Sequence, residues 1–239
     1  MIFDVITIFP EIFEGFTQEG ILAKAIEKNL LRINIHDLRN WVDDKHKKVD
    51  DKPFGGGLGM VMKVEPILRS VAEIKKSKNS RVVLFSPAGK KLRQSSVTRL
   101  SKYDQIVMIS GRYEGVDERV ALYIADEEIS IGDYVLMGGD IPAMAVMESV
   151  SRLIPGVIGK DSFLDERIDD RKALEYPQYT RPASLKPKEL LSTDLYNDLI
   201  LKGKKISSKD VQWDVPDLLV SGDHSKIAEW RKSHGRVIE

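Results

Sequence analysis

Glycine-rich segments follow three predicted strands, and their residue types favour a binding site. The first covers residues 86–89, the second residues 111–115, and the third residues 132–139. Glycine lets backbone N–H and C=O groups approach a ligand closely, while Tyr113 and Tyr134 supply flat apolar walls. This combination suits a flat heteroaromatic ligand, and no phosphate-binding G-x-x-x-x-G-K-[ST] motif is present. Each segment alone also fits a tight turn, but three at successive strand ends favour the binding site.

Charged side chains accompany these segments. Arg112, Glu114 and Asp117 lie within six residues of one another, and Arg152 closes an otherwise apolar helical pattern. The first group fits either local ion pairs at the start of a helix or the polar wall of a site. A cation near a helix C-terminus stabilises the helix, so Arg152 has both a structural and a catalytic interpretation. The residue types alone leave these alternatives open.

The elements that must position these residues alternate between strands and helices. Apolar runs predict strands over residues 1–9, 31–38, 81–85, 105–110 and 128–131. Helical spacing predicts helices over residues 11–28, 64–76, 92–101, 117–124 and 142–153. This alternation indicates an α/β fold in which a parallel sheet carries helices on both faces. Ligands of such folds bind beyond the carboxyl ends of the strands, where the glycine-rich segments lie.

The composition is typical of a water-soluble protein and excludes some classes of site. Cysteine is absent, which excludes disulfides and thiolate metal sites, and the four histidines are scattered. No run reaches the ~18 apolar residues that a membrane span needs. No basic stretch precedes the apolar residues at the start, as a signal peptide would require. We therefore expect a cytoplasmic protein with no membrane contact.

Charge is balanced over the whole chain but not along it. The 37 Lys and Arg residues equal the 37 Asp and Glu residues. Residues 75–102 nevertheless contain no acid, and their basic residues are Lys75, Lys76, Lys78, Arg81, Lys90, Lys91, Arg93, Arg99 and Lys102. A smaller basic cluster covers residues 45–48. Both clusters fit a solvated face or a track for a phosphate backbone, and the sequence does not decide between them.

Long motifs occur along almost the whole chain in the order typical of one family. They are TIFPEIF at 7–13, VDDKPFGGGLGM at 49–60, SGRYEGVDERV at 110–120, SIGDYVL at 130–136, SVSRLIPGV at 149–157, YPQYTRP at 176–182 and VPDLLVSGDH at 215–224. Together they resemble the bacterial tRNA (guanine-N1)-methyltransferase family. The resemblance implies a SPOUT-class α/β domain with a deep C-terminal trefoil knot, a homodimer with active sites at the subunit interface, and the anticodon stem-loop of tRNA as partner. The implied reaction is S-adenosylmethionine-dependent methylation of N1 of the guanine immediately 3′ of the anticodon, at position 37.

The resemblance implies that S-adenosylmethionine binds on the three glycine-rich segments. The residues that match the family's cofactor contacts are Leu84, Phe85, Ser86, Pro87, Gly111, Tyr113, Glu114, Gly115, Ser130, Ile131, Gly132, Asp133, Tyr134, Val135, Leu136, Gly138, Gly139 and Pro142. It also implies that His46, Asp50 and Gly59 bind the tRNA. A dependence on Mg²⁺ is suggested, with Glu114 as a candidate contributor, and no metal ligand set is assigned.

Methylation of guanine N1 needs a base for the N1 proton and a cation for the charge that develops at O6. The family's arginine matches Arg152, while its carboxylate belongs to an acidic-Ser-Phe motif. Asp161 copies that motif but lies only nine residues after Arg152, closer than in the family. Glu166 preserves the usual distances from Arg152 and from Tyr179 but lacks the Ser-Phe pair. The resemblance favours Glu166 over Asp161 and leaves both open.

The same resemblance divides the chain into three parts. Residues 1–158 form the methyltransferase domain, residues 159–179 a linker that carries the candidate base, and residues 180–239 a small, mostly helical tRNA-binding domain. An insertion before Val215 and a shortened end after Arg231 depart from the family pattern, which puts the affinity for RNA in question. Two other functions stay open: an RNA ribose 2′-O-methyltransferase of the same fold, and a non-catalytic RNA-binding relative.

Overall fold

The computed structural model describes residues 1–159, 168–169, 172–201 and 211–238. These form two compact units, Met1–Ala173 and Leu174–Ile238, and the division falls inside the predicted linker. The two candidate bases, Asp161 and Glu166, lie outside the described residues. Within the described ranges, no helix combines the length and the apolar character that crossing a membrane requires.

The larger unit is built on a parallel sheet. Its strands in chain order are β1 (Ile2–Thr7), β2 (Arg32–Asp37), β3 (Asp50–Asp51), β4 (Val61–Met62), β5 (Ser80–Lys91), β6 (Gln105–Ile109) and β7 (Glu127–Ser130). Five of them form one sheet in the order β2-β1-β6-β5-β7, with every neighbouring pair parallel. The short strands β3 and β4 pair separately and antiparallel.

Helices cover both faces of this sheet. They are α1 (Glu14–Gln18), α2 (Gly20–Glu27), α3 (Val64–Ile74), α4 (Gln94–Leu100), α5 (Glu118–Tyr123) and α6 (Asp140–Ser151), with 3₁₀ turns at Pro10–Phe13 and Leu38–Trp41. Side chains alternate across β6: Ile106 and Met108 pack with α2, α4 and α6, whereas Val107 and Ile109 pack with α3 and α5. All four are fully buried, which confirms the predicted parallel α/β architecture.

The single helix predicted over residues 11–28 is wrong. A 3₁₀ turn and two helices replace it, because Glu19 is extended (φ −119°, ψ 157°) and Gly20 adopts a positive φ of 68°. Few residues other than glycine tolerate that backbone region, so Gly20 permits the break. Apolar spacing continues across the break because Phe16 of α1 is partly buried against the same core that buries Leu22 and Ala25 of α2.

Strand β5 continues beyond the predicted end at Phe85. The chain stays paired with β7, but the register shifts between Phe85 and Lys90, so the predicted loop at 86–89 is a bulge within a longer strand. A Cβ atom at Gly89 would lie 2.6 Å from the backbone nitrogen of Ile129, which explains glycine at this position. Bulges re-aim side chains, and this one interrupts the regular pairing of β5 with β7 after Phe85.

The elements after α6 are short. Strands β8 (Ile168–Asp169) and β9 (Lys172–Glu175) pair antiparallel, as do β10 (Ser184–Leu185) and β11 (Trp213–Asp214), and β12 covers Arg236–Ile238. The helices of the smaller unit are Pro187–Leu190, Thr193–Tyr196, Asp217–Val220 and His224–His234, with a π-helical turn at Asn197–Leu201. Residues 187–201 contain three short helical segments rather than one continuous helix.

Candidate functional site

A cavity of about 350 Å³ lies among the segments that follow β5, β6 and β7. Its lining brings together the predicted cofactor residues Leu84, Phe85, Ser86, Pro87, Gly111, Tyr113, Glu114, Gly115, Ser130, Ile131, Tyr134, Val135, Leu136, Gly138, Gly139 and Pro142. Two predicted residues lie outside the lining. Gly132 sits under the ring of Tyr134, with no room for a Cβ atom, and the carboxylate of Asp133 pairs with Lys91.

The segment after β6 is fixed by backbone hydrogen bonds on two sides. On one side the nitrogen of Met62 in β4 donates to the carbonyl of Gly115 (3.0 Å), and the nitrogen of Glu114 donates to the carbonyl of Met60 (3.1 Å). On the other side the nitrogen of Gly139 donates to the carbonyl of Gly111 (2.9 Å). The wall of the cavity is therefore held between the β3–β4 pair and the start of α6.

A buried ion pair strengthens the second of these connections. The guanidinium of Arg112 donates through Nε (2.7 Å) and Nη2 to Oδ2 of Asp140, whose side chain has no exposed surface. The hydroxyl of Thr7, at the end of β1, donates to the other carboxylate oxygen (2.7 Å). Arg112 also lies 4.8 Å from the ring centroid of Phe9. The motif around Arg112 was visible in the sequence, but its pairing with Asp140 depends on the fold.

Glycine is required where α6 begins because backbone meets backbone there. A Cβ atom at Gly139 would lie 2.8 Å from Cα of Ser110. At Gly138 it would lie 2.8 Å from the carbonyl oxygen of Gly111 and would overlap the side chain of Arg112. Real Cβ atoms do not approach backbone so closely, so these glycines allow the first turn of α6 to lie against the wall of the cavity.

Tyr113 connects the cavity wall to a residue predicted to bind RNA. Its backbone is in the left-handed region (φ 60°), which is unusual for a residue with a side chain. Burial raises the pKa of the Tyr113 hydroxyl, and the carboxylate of Asp50, with which it hydrogen-bonds, raises that pKa further. Asp50 lies in β3, so the predicted cofactor and RNA residues are neighbours at this point. Backbone strain of this kind is often concentrated at functional sites.

The other predicted site residues lie in different environments. Gly59, with a φ of 79°, packs against the side chain of Glu114, where a Cβ atom would lie 2.6 Å from Oε1. His46 is exposed in a turn, with its backbone nitrogen bonded to Asp44. Arg152 is the exposed C-cap of α6, and none of the described residues forms an ion pair with it. No three His, Cys, Asp or Glu side chains in the described ranges are grouped as metal ligands.

Part of the cavity wall was not predicted. The additional lining residues are Arg112, Val116, Glu118, Ala121, Glu128, Ile129 and Met137. Val116 precedes α5, Glu118 and Ala121 belong to α5, and Glu128 and Ile129 belong to β7; the apolar pattern had located both elements. Which of their side chains faces the cavity depends on how α5 and β7 are placed around it, and a single sequence carries no signal for that.

Comparisons with known proteins agree on one family. A model of the family described as tRNA (Guanine-1)-methyltransferase TrmD matches residues 1–198. Curated relatives named tRNA (guanine-N(1)-)-methyltransferase include one from Geobacter sp. (strain M21), 45% identical, covering 97% of this chain and 84% of the relative. Another, from Endomicrobium trichonymphae, is 46% identical and covers 95% of this chain and 91% of the relative. A third, from Dictyoglomus turgidum (strain DSM 6724 / Z-1310), is 45% identical and covers 96% of this chain and 82% of the relative.

Proposed function

The chain belongs to the tRNA (guanine-N1)-methyltransferase family, and from this premise we propose that it methylates N1 of the guanine immediately 3′ of the anticodon, at position 37 of tRNA. The observation that carries the proposal is that the positions matching the family's cofactor contacts lie together in space. All but two of the residues that match the family's cofactor contacts line one cavity at the carboxyl edge of a parallel sheet. Ligands of open α/β folds bind at this edge. The reaction would take place in the cytoplasm, where tRNA is used.

The cavity fits S-adenosylmethionine by size and by chemistry. Its volume of about 350 Å³ falls in the range of small-ligand sites, and Leu84, Ile131 and Leu136 offer apolar walls for an adenine ring. The close backbone approach at Gly138 and Gly139 leaves peptide groups near the ligand without side chains in the way. When bound, S-adenosylmethionine supplies an electrophilic methyl group. The role of this chain is to hold that group and the guanine in line, with the ion pair of Arg112 and Asp140 fixing the wall.

The proton chemistry is assigned to Arg152 and to one carboxylate of the linker. Guanine N1 carries a proton at neutral pH, so a carboxylate must accept it while a cation stabilises the charge that develops at O6. Arg152 suits the second role because it is exposed and no described residue neutralises it. Glu166, or otherwise Asp161, takes the first role in this proposal. His46, Asp50 and Gly59 would contact the tRNA, and the contact of Asp50 with Tyr113 supports that role.

A homodimer and a trefoil knot complete the proposal. Apolar side chains are exposed in the cavity lining at Tyr134, Val135 and Met137, and outside it at Ile141. Contiguous exposed apolar residues mark interaction surfaces, and a second copy of the chain would bury them and bring its own linker carboxylate over the cavity. The hydrogen bond between Gly139 and Gly111 supports a chain path in which α6 passes close to the segment after β6.

A resident magnesium site is not part of this proposal. The carboxylate of Glu114 lines the cavity, but the described residues contain no grouping of three ligands around it. Mg²⁺ bound through one carboxylate would need oxygen atoms from the substrate and from water. We therefore assign no step to the ion.

The proposal is tested by methyl transfer to an unmodified tRNA transcript with guanine at position 37. After incubation with S-adenosylmethionine, nuclease digestion and mass spectrometry should detect 1-methylguanosine. A transcript with adenine at position 37 serves as the matched negative control and should yield no methylated product. A 2′-O-methylated nucleoside would assign the chain to ribose chemistry instead. Binding of tRNA without any methylated product would contradict an enzymatic function.

A further inference from the structure

The smaller unit contains a second cavity, of about 530 Å³, formed entirely by residues 176–231. Two pieces of chain make its walls. One is the extended segment that includes Tyr176, Tyr179 and Arg181, and the other is the helix His224–His234 with the chain leading into it. The cavity is large enough for one nucleotide, since small-ligand sites start at roughly 300 Å³. None of the predicted site residues lies in it.

Aromatic rings are concentrated at this cavity. The rings of Tyr179 and Trp230 meet edge to face, with centroids 6.3 Å apart. The Trp230 ring also stacks on the His234 ring, with centroids 4.2 Å apart, and this contact fixes the orientation of the indole. Tyr179 is half exposed, so one surface of its ring is open to a ligand. An immobilised ring with an open face is the platform on which unpaired nucleobases stack.

Cations accompany the rings, and acids do not. Arg181 and Arg231 both line the cavity, and neither forms an ion pair with any of the described residues. The guanidinium of Arg231 lies 5.2 Å from the ring centroid of Tyr176, which orients it without neutralising its charge. No Asp or Glu is among the described residues of the lining. An unneutralised guanidinium presents a fork of donors that matches phosphate oxygens.

Asp223, which precedes the lining residue His224, is occupied within its own helix. Asp223 caps the helix His224–His234 by accepting from the backbone nitrogen of Lys226 (3.2 Å), and it pairs with the ammonium of the same lysine (3.2 Å). The hydrogen bonds from the Lys226 backbone and side chain lower the pKa of the Asp223 carboxyl, so it stays ionised and paired at neutral pH. Asp223 therefore does not neutralise Arg181 or Arg231, and Glu229, on the same helix, forms no ion pair with either of them.

We propose that this cavity binds one unpaired nucleotide of the substrate tRNA, with its base stacked on Tyr179 and its phosphate on Arg181 and Arg231. The inference rests on the proposed function, which supplies an RNA substrate with an unpaired loop. Rings and unpaired guanidinium groups in one recess match a base and its phosphate together, whereas a phosphorylated peptide would need no stacking platform. The nucleotide held here is distinct from the guanine that is methylated, because none of the residues assigned to the reaction belongs to this cavity.

The experiment compares variants of the full chain in tRNA binding and in methyl transfer. Tyr179→Ala and Arg231→Gln should each raise the Kd for tRNA about tenfold, the order expected for loss of one stacked base or one phosphate contact. The Kd for S-adenosylmethionine and the single-turnover rate at saturating tRNA should stay at the wild-type values. Tyr179→Phe keeps the ring and should restore the affinity. Trp213→Ala, which removes an aromatic ring outside the cavity, serves as the control and should bind as the wild type does.

The nucleotide itself is identified with tRNA molecules that carry one abasic site in the loop. At one position of the abasic site, the tRNA should bind the wild type more weakly than intact tRNA does. For that tRNA, the Tyr179→Ala variant should have the same Kd as the wild type. If Tyr179→Ala and Arg231→Gln bind tRNA as tightly as wild type, the pocket proposal fails while the methyltransferase function stands. If the two variants lose as much affinity for an RNA duplex without unpaired nucleotides as for tRNA, the arginines contact the phosphate backbone in general, and the proposal is overturned. A wild-type chain that produces no methylated guanine refutes the proposed function instead.

Discussion

Nε of Arg112 lies 2.7 Å from Oδ2 of Asp140, and this pair joins the segment after β6 to the first turn of α6. The Asp140 side chain has no exposed surface, and that of Arg112 is 17% exposed. The hydroxyl of Thr7 completes the carboxylate's partners from the end of β1. One carboxylate thus connects three elements that meet at the cavity, although its own side chain does not line it.

Removal of either member of the Arg112–Asp140 pair should destabilise the fold, because the remaining charge would be left buried without a partner. We expect Asp140→Ala and Arg112→Ala each to lower the free energy of unfolding by about 3 kcal/mol, the lower end of measured values for broken buried pairs. The loss of unfolding free energy in the double variant should be clearly smaller than the sum of the losses in the two single variants. Urea unfolding of all four proteins measures the coupling, and strictly additive losses would show that the pair does not act as a unit.

Gly139→Ala should weaken the binding of S-adenosylmethionine. Its Cβ atom would lie 2.8 Å from Cα of Ser110, so the start of α6 must move away from the cavity wall. We expect a rise of about tenfold or more in the Kd for the cofactor, measured by calorimetry, because small displacements of backbone donors cost hydrogen bonds. Gly15→Ala is the matched control, since no atom lies within 4 Å of its added Cβ and its φ is not positive. Equal cofactor affinity in both variants would contradict the proposed role of the glycine pair.

Much of this architecture could be predicted from the sequence because it is encoded locally. Continuous or alternating apolar residues located the five strands of the sheet, and the glycine-rich segments located the cavity at the strand ends. The prediction failed where a single residue outweighs the apolar pattern. Gly20, with its positive φ, breaks the predicted first helix, and the bulge before Lys90 extends β5 beyond its predicted end.

The features that could not be predicted depend on contacts between distant residues. Asp140 belongs to no predicted site, and only the fold brings Arg112 and Thr7 to its two oxygens. The second cavity likewise needs Tyr179 and Trp230 to meet across some fifty residues of sequence. Periodicity reports which face of an element is buried, but it does not report which elements meet there.

The pH dependence of stability should carry the signature of Asp4. Burial opposes ionisation of its carboxyl, but hydrogen bonds from His36, Gln105 and Asn34 outweigh burial and lower its pKa below the ordinary value of 3.8. A lowered pKa in the folded state means that ionised Asp4 stabilises the fold above about pH 4, and that this contribution disappears as the pH falls through the folded pKa.

We therefore expect Asp4→Asn to be less stable than the wild type at pH 7, by about 2 kcal/mol. The difference should shrink steadily as the pH falls from 4 to 3. Urea unfolding at several pH values measures it, with Asp104→Asn, an exposed acid just before β6, as the control. A difference that stays constant down to pH 3 would assign the loss to shape rather than to charge.

The identity of the catalytic base can be decided by kinetics. The proposed reaction needs one carboxylate of the linker together with Arg152, and a general base contributes roughly 10²–10⁴ in rate. We expect Glu166→Gln to lower the single-turnover rate by that order with an unchanged Kd for S-adenosylmethionine, and Asp161→Asn to cost about tenfold or less. The reverse ranking would assign the base to Asp161, and loss in neither variant would direct attention to Asp165 and Asp169. The single-turnover rate of Arg152→Ala should be as low as that of the slower of the two carboxylate variants.

The basic run at residues 75–102 gives the last prediction, because the structure divides it into two classes. Lys75, Arg81, Lys91 and Arg99 pair with Asp126, Glu127 or Asp133, acids from outside the run. The others form no ion pair with the described residues; they are Lys76, Lys78, Lys90, Arg93 and Lys102. An unpaired cation gains the full electrostatic attraction of a phosphate. A paired cation gains less, because it must first break its ion pair with an acidic side chain.

If this surface carries the RNA backbone, the unpaired class should dominate the salt dependence of tRNA binding. Each phosphate contact contributes a slope of about −0.9 to the logarithm of affinity against that of salt concentration on duplex RNA or DNA. The double variant Lys76→Gln, Lys78→Gln should therefore flatten the slope by up to about 1.8, two contacts' worth. Lys91→Gln, the paired control, should change it much less. An identical slope in all three proteins would mean that the run is a solvated face and that the tRNA follows another path.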